Sequence, residues 1–278
     1  MTATVLAAPG SDSPSPYQRL LLPAVAPPAA TGVTRTERVY SRARGRKVDL
    51  VFTLPTRTPP RGMPMSLLLH GRFGTAHSAA PRGLLDGLTQ QVGAGSVPPF
   101  GFVAVDGGPS SYWQADRTGD DPMAMLLDEV PRWLRERGLA GSDGTPFAVA
   151  GTSMGGFGAL LYARRRRERR KPVEAIGTIA PALMTSWTRM RKRGAFTSEA
   201  EWAELDPLHN LDATRGIPTA VWCGTSDPFI VGVRQFVARA RPALVRISEG
   251  GHTSDFFSST VPELVRFLGS HVPNAGPD

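Results

Sequence analysis

One glycine-rich turn, Gly151-Thr152-Ser153-Met154-Gly155-Gly156, constrains the fold of this chain more than any other stretch. An apolar run over residues 146–150 precedes the turn, and a second apolar run over residues 157–163 follows it. This order predicts a buried strand, a tight turn and a helix. A serine on such a turn adopts strained backbone angles, and glycine neighbours let the strand and the helix pack closely beside it. The helix that follows would point its positive N-terminus at the serine, where it favours a nearby negative charge.

Short apolar runs alternate with helical patterns along most of the chain. Strands are predicted at residues 37–43, 47–54, 65–69, 100–105, 147–150, 173–180, 218–223 and 243–247, the first two forming a hairpin. Helices are predicted at residues 123–137, from residue 154, at 229–240 and at 256–271. Pro131 is expected to kink the first of these helices. Alternating strands and helices indicate an α/β fold, with a mainly parallel central sheet and helices on both faces.

Two segments depart from this alternation. Residues 1–34 are rich in Ala, Pro, Ser and Thr, and we expect a disordered or loosely docked arm there. A single domain is then predicted over residues 35–273, because 278 residues suit one large α/β unit. The stretch between Ala182 and Gly216 is predicted to be a helical excursion from the sheet, with a capping box offered by Ser198 and Glu201.

The chain carries a net charge of +8, and much of the excess is concentrated in residues 164–171 and 189–193. We interpret the first cluster as a solvated helix end, where cations complement the helix dipole. The alternative, a patch for nucleic acid or an anionic membrane, is disfavoured because no nucleic-acid motif or interleaved aromatic residue accompanies the run. We therefore expect no nucleic-acid partner.

The sequence constrains the cellular location only weakly and bears on disulfide bonding through a single cysteine. No apolar run approaches the ~18 residues of a transmembrane helix, and the short run over residues 20–28 is broken by prolines and makes a poor secretory signal. A cytoplasmic location is expected, with secretion as the alternative. The single cysteine, Cys223, excludes an intrachain disulfide and is predicted to be a small buried hydrophobe. The sequence leaves the oligomeric state open.

The pattern G-x-S-x-G between a strand and a helix is typical of a nucleophilic serine, followed along the chain by an acid and then a histidine. A serine hydroxyl needs a base within hydrogen-bond reach and a group that orients the base. We predict His252 as the base, because it lies in a Gly-rich loop between a strand and a helix. The other histidines fit this order or this position less well: His70, His77, His209 and His271.

Asp227 is the predicted acid, because it too lies in the turn that follows a strand. Asp206 and Asp212 are rivals, but they belong to the helical excursion, where a surface or capping role is expected. The negative oxygen of a tetrahedral intermediate needs two preorganised donors. We predict the backbone N–H of Met154 as one donor and that of Arg72 as the other, with Phe73 as the second choice. His70, at the start of the same loop, is expected to be structural.

These segments resemble the Putative esterase family of α/β-hydrolases, which includes S-formylglutathione hydrolases, feruloyl esterases and mycolyltransferases. The likeness spans roughly residues 65 to 270 and is carried by Leu68-Leu69-His70-Gly71, by residues 103–108, by residues 151–160, by Cys223-Gly224-Thr225-Ser226-Asp227 and by Gly250-Gly251-His252. The resemblance implies an α/β-hydrolase fold. The Arg72-Phe73 pair departs from the family by placing a long cation at the oxyanion loop, which leaves open whether the substrate is a simple neutral ester.

Together, the predicted triad and the resemblance indicate a serine hydrolase that cleaves a carboxylic ester of a small molecule through an acyl-enzyme, without a metal or cofactor. An acyltransferase that passes the acyl group to an alcohol is the alternative implied by the family's mycolyltransferases. A non-catalytic binding protein that uses its basic surface is a third possibility. For the substrate pocket we predict Phe73 and, from the excursion, Trp187 and Met190. The excursion follows a strand, and ligands bind at that edge of an open α/β sheet.

Overall fold

The computed structural model describes Met1 and residues 31–116 and 118–273. The predicted arm over residues 1–34 therefore falls almost wholly outside the described residues. The first strand begins at Val33, four residues before the predicted start, and it forms the expected antiparallel hairpin with the second strand.

Within the described residues, eight strands form one mixed sheet in the order β1-β2-β4-β3-β5-β6-β7-β8. Strand β2 pairs antiparallel with β1 and β4, and the other pairs are parallel. The strands are β1 (Val33–Ser41), β2 (Arg46–Leu54), β3 (Met65–Leu69), β4 (Gly101–Val105), β5 (Ala148–Thr152), β6 (Ala175–Ile179), β7 (Thr219–Gly224) and β8 (Leu244–Ser248). The predicted mainly parallel α/β architecture is confirmed.

The helices are α1 (Leu84–Gly93), α2 (Pro122–Ala124), α3 (Val130–Glu136), α4 (Met154–Glu168), α5 (Trp187–Met190), α6 (Glu199–Leu205), α7 (Ile230–Ala240), α8 (Ser254–Ser259) and α9 (Val261–Gly269). Helix α1 has no counterpart among the predictions. A π-helical turn, Met125–Glu129, separates α2 from α3, and Pro131, which lacks an N–H, lies in the first turn of α3 just after it. The predicted closing helix is divided at Thr260 into α8 and α9.

Every residue of strands β3 to β7 is buried, because helices cover both faces of the sheet. Helices α4 and α7 contribute Phe157 and Phe236 to the apolar core on one face. Helices α1 and α9 contribute Leu88 and Leu264 to the core on the other face. The sheet is thereby held rigid, and its carboxyl-terminal edge is left for the loops that follow the strands.

The excursion forms α5, a short 3-10 turn (Arg191–Arg193), α6 and a second 3-10 turn (Leu211–Thr214). Ser198 caps α6 by accepting the N–H of Glu201 at 3.1 Å. The capping box is incomplete, because the Glu201 carboxylate accepts the N–H of Thr197 at 2.6 Å rather than that of Ser198.

The basic run at the end of α4 is engaged within the protein. Arg166 is buried and donates to the carbonyl of Pro146 at 3.1 Å and to the hydroxyl of Tyr162 at 2.9 Å. Its neighbours bond carboxylates or backbone carbonyls of other residues: Arg164, Arg165, Arg167 and Arg169. These contacts favour a structural reading of the run. Among the described residues, no helix has the length and apolar character needed to cross a membrane.

Candidate active site

Ser153 lies at the sharp turn between β5 and α4, with φ 58° and ψ −116°. The two flanking glycines explain how the chain reaches this conformation. A Cβ on Gly151 would lie 2.2 Å from the carbonyl oxygen of Gly155, and a Cβ on Gly155 would lie 1.9 Å from that of Leu69. Strand and helix are therefore too close for side chains at either position. The Ser153 N–H donates to Ile179 O at 2.9 Å, which fixes the turn above the sheet.

Three side chains predicted from separate segments form one hydrogen-bonded series. His252 Nε2 lies 2.9 Å from Ser153 Oγ, and His252 Nδ1 lies 2.6 Å from Asp227 Oδ2. A carboxylate only accepts, so Nδ1 carries the proton and Nε2 is free to accept from the serine hydroxyl. This is the tautomer that a base for Ser153 requires.

The acid and the imidazole are held by the residues that follow β7 and β8. Asp227 is only 2% exposed, and its Oδ1 accepts the N–H of Phe229 at 2.8 Å. The rings of Phe229 and Phe257 pack edge-on against the His252 ring, with centroids at 5.2 and 5.1 Å. The imidazole can therefore turn little from the line between Asp227 and Ser153.

The loop after β3 approaches Ser153 closely: a Cβ on Gly71 would lie 3.5 Å from Ser153 Cβ. The N–H of Phe73 donates to Pro109 O at 2.6 Å, so this donor is already used. By contrast, the N–H groups of Arg72 and Met154 make no hydrogen bond to any described residue. The geometry thus favours Arg72 over Phe73 as the donor from this loop.

His70 holds the start of this loop. Its Nε2 accepts the N–H of Gly107 at 2.9 Å, its Nδ1 donates to Gly71 O at 2.8 Å, and its ring packs on Trp113 with centroids 4.9 Å apart. Burial lowers the pKa of His70 below its ordinary value of 6.5. A neutral imidazole that both accepts and donates fits the structural role predicted for it.

A cavity of about 980 Å³ opens beside Ser153 and His252. Phe73 lines it at the rim with 70% of its surface exposed. The cavity is also lined by residues that the sequence did not single out. They come from the segment after β4, the 3-10 turn after α5, and the segments after β7 and β8: Tyr112, Arg193, Phe229 and Phe257.

The prediction that Trp187 and Met190 line this cavity is corrected by the structure. Met190 is 0% exposed and belongs to the core under α4. Trp187 stacks on Trp202, with ring centroids 6.2 Å apart and planes inclined by 25°. The excursion does reach the cavity, but through Arg193, because its apolar side chains are drawn into the core.

The rival candidates lie away from His252. Asp206 bonds His209 at 2.7 Å, and burial raises the pKa of Asp206 to about 6. Asp212 pairs with Arg215 at the surface. Burial likewise raises the pKa of the Cys223 thiol to about 12, which keeps it protonated and unreactive, as the sequence predicted.

Comparisons with known proteins agree with this architecture. The chain is similar in structure to a ferulic acid esterase, with a TM-score of 0.70 and 19% identity over 87% of this chain and 99% of that one. It is also similar to an S-formylglutathione hydrolase from Agrobacterium tumefaciens, with a TM-score of 0.68 and 15% identity over 87% of this chain and 96% of that one. For Mycobacterium tuberculosis MPT51 the TM-score is 0.64 and the identity is 17%, over 87% of this chain and 100% of that one. No curated protein sequence matches the chain.

These likenesses identify the fold as that of the α/β-hydrolases. The family model described as Putative esterase matches residues 41–260, which is most of the sequence and includes Ser153, Asp227 and His252. The chain therefore belongs to the Putative esterase family, as its motifs predicted.

Proposed function

We propose that this protein is a serine hydrolase that cleaves a carboxylic ester of a small molecule through an acyl-enzyme intermediate. Membership of the Putative esterase family supports ester hydrolysis. The observation that carries the mechanism is the unbroken series from Ser153 Oγ through His252 to Asp227, at 2.9 and 2.6 Å.

In the first half of the reaction, His252 Nε2 accepts the proton of the Ser153 hydroxyl as the oxygen attacks the ester carbonyl. The carbonyl oxygen becomes negative and is stabilised by the N–H groups of Arg72 and Met154, together with the N-terminus of α4. Asp227 keeps the imidazole in the accepting tautomer and stabilises its positive charge. His252 then gives the proton to the departing alcohol.

In the second half, water enters the same cavity. His252 accepts a proton from the water, which attacks the acyl carbon bound to Ser153, and the tetrahedral intermediate uses the same two N–H donors. Collapse returns the proton to Ser153 and releases a carboxylic acid. An alcohol in place of water would make the protein an acyltransferase. The likeness to a ferulic acid esterase and an S-formylglutathione hydrolase favours water.

The test is active-site labelling combined with turnover. A fluorophosphonate probe should modify Ser153, identified by peptide mass spectrometry, and Ser153→Ala should abolish labelling. The same variant should fold normally and hydrolyse p-nitrophenyl esters about 10⁴-fold more slowly. Product analysis with added alcohols distinguishes hydrolysis from acyl transfer. Labelling at another residue, or turnover by Ser153→Ala close to that of the wild type, would refute the proposal.

A further inference from the structure

The cavity beside Ser153 is positively charged. Three arginines line it, and Asp255 is the only carboxylate among its described lining residues. Arg82 is paired with Asp255 at the surface, where both side chains are largely exposed. Arg72 and Arg193, in contrast, form no salt bridge with any described residue. Two uncompensated guanidinium charges therefore face the space next to the candidate nucleophile.

Both of these guanidinium groups are partly removed from water. Arg72 and Arg193 are half-buried, and the Nε atom of each is shielded from solvent without a hydrogen-bond partner among the described residues. A buried donor of a charged group that lacks a partner is unfavourable. A counter-ion in the cavity would offset this cost, and arginine is suited to binding carboxylates because of its planar fork of donors.

One loop organises both arginines. The segment 107–114, which we call the β4 loop, accepts the N–H of Phe73 through Pro109 O at 2.6 Å. The same loop donates from Ser110 Oγ to Arg193 O at 2.9 Å. The Arg72 guanidinium is further held over the ring of Phe73, 4.2 Å from its centroid. The backbones that carry the two cations are thus fixed to a common support.

Tyr112 follows Pro109 and Ser110 on the β4 loop and also lines the cavity. Tyr112 and Trp113 both have positive φ, at 50° and 62°, which is uncommon for bulky residues and is typical of functional sites when the surrounding structure enforces it. Burial raises the pKa of Tyr112, and the positive charges of Arg193 and Arg72 oppose this shift. Tyr112 is otherwise buried, with its ring against Phe157 and Phe196, and its hydroxyl is the one neutral donor that it brings to the cavity lining.

We propose that Arg72, Tyr112 and Arg193 form an anion subsite that binds a carboxylate of the ester substrate, so that the protein prefers anionic esters to their neutral counterparts. This inference rests on the proposed hydrolase function and adds a substrate class to it. The Arg72 side chain would bind the substrate's carboxylate while the Arg72 N–H serves the oxyanion. These two roles are separable, because a substitution removes the side chain and leaves the N–H.

The experiment compares pairs of matched esters in which one member is anionic and the other is neutral. One pair carries the carboxylate on the acyl side: mono-p-nitrophenyl adipate and its neutral methyl ester. The other pair carries it on the alcohol side: para-acetoxybenzoate and para-acetoxybenzamide. The wild-type protein should show a kcat/KM about tenfold or more higher for the anionic member of one pair, which also reveals the side on which the subsite lies.

Variants then test the assignment. Arg72→Met and Arg193→Met should each lower the anionic-to-neutral ratio of kcat/KM about tenfold. Tyr112→Phe should lower the ratio less, because it removes one neutral donor. Lys192→Met is the matched control: it removes the same charge from the same turn, but Lys192 is exposed and is not a described lining residue of the cavity. Titration with the fluorophosphonate probe normalises every rate to the active fraction.

Two results would overturn the inference. A wild-type ratio at or below one in both pairs would show that no anion is recognised, and this measurement does not depend on any variant folding. An equal loss of the ratio in Lys192→Met would show that only the general positive field matters. Either result leaves neutral-ester turnover at Ser153 intact. A protein that hydrolyses no ester and leaves Ser153 unlabelled would instead refute the proposed function itself.

Discussion

Phe229 donates its backbone N–H to Asp227 Oδ1 at 2.8 Å and packs its own ring edge-on against His252, whose Nδ1 lies 2.6 Å from Asp227 Oδ2. One residue therefore fixes both the buried carboxylate and the imidazole that this carboxylate orients. The contact follows from the sequence Asp227-Pro228-Phe229 at the start of α7, so the end of β7 delivers the acid and its support together.

Asp227→Asn should lower kcat by about 10⁴-fold while preserving the fold, because an amide NH₂ facing Nδ1 favours the wrong imidazole tautomer. The protein supplies its own control in its second Asp–His pair. Asp206→Asn alters the pair with His209 away from Ser153 and should leave kcat/KM within about twofold. Steady-state kinetics and a thermal melt of both variants check this. Equal losses of activity in the two would argue against a special role for Asp227.

Trp187→Ala should destabilise the protein by about 1–3 kcal/mol without altering the preference for acyl chain length. The reason is that Trp187 stacks on Trp202 against the core and lies away from the cavity. The measurements are chemical unfolding and kcat/KM across a series of p-nitrophenyl esters. A changed chain-length preference with unchanged stability would contradict this and show that Trp187 lines the substrate pocket.

His70 should make folding stability sensitive to acid. Burial lowers its pKa below 6.5, so the unfolded chain binds the proton more readily than the folded one. The stability that the neutral imidazole contributes is fully present above pH 6.5 and is lost as the pH falls below that value. When urea unfolding is measured between about pH 8 and about pH 5, the free energy of unfolding should fall less in His70→Gln than in the wild type. The same pH dependence in both proteins would contradict this assignment.

The double variant Arg164→Ala with Arg167→Ala should hydrolyse small neutral esters within about twofold of the wild type. Both side chains lie near the end of α4 away from Ser153 and donate to backbone carbonyls of the excursion. Removing them should cost about 1 kcal/mol of stability for each hydrogen bond lost. A large fall in kcat/KM with an unchanged melting temperature would show that the run acts on the site.

The parts of the fold that the sequence predicted are those with a local signal. Strands β3 and β5 are short apolar runs buried on both faces, and the turn that carries Ser153 contains Gly151, which is required by its contact with Gly155 within the same turn. Helix α1 escaped prediction because Gly87 and Gln91 dilute the apolar face that Leu84 and Leu88 present to the core.

The composition of the cavity was harder to predict, since it depends on which way side chains turn after tertiary packing. The excursion lies at the predicted edge of the sheet, yet its apolar residues point into the core and a charged residue, Arg193, lines the cavity. Tyr112 belongs to a loop without regular structure, and no local sequence pattern predicts the positive φ values of this loop. Order along the chain brought Ser153, Asp227 and His252 into consideration, and their catalytic roles stay a prediction until labelling tests them.

The position of Arg72 has a consequence for how such a protein diverges. Its backbone N–H belongs to the loop geometry, which Gly71 and the Phe73–Pro109 hydrogen bond maintain whatever side chain is present. A single codon change at this position can therefore exchange the side chain offered to a substrate without removing the proposed donor beside the proposed nucleophile. Substrate range at this site is free to drift between descendants while the reaction step is inherited intact.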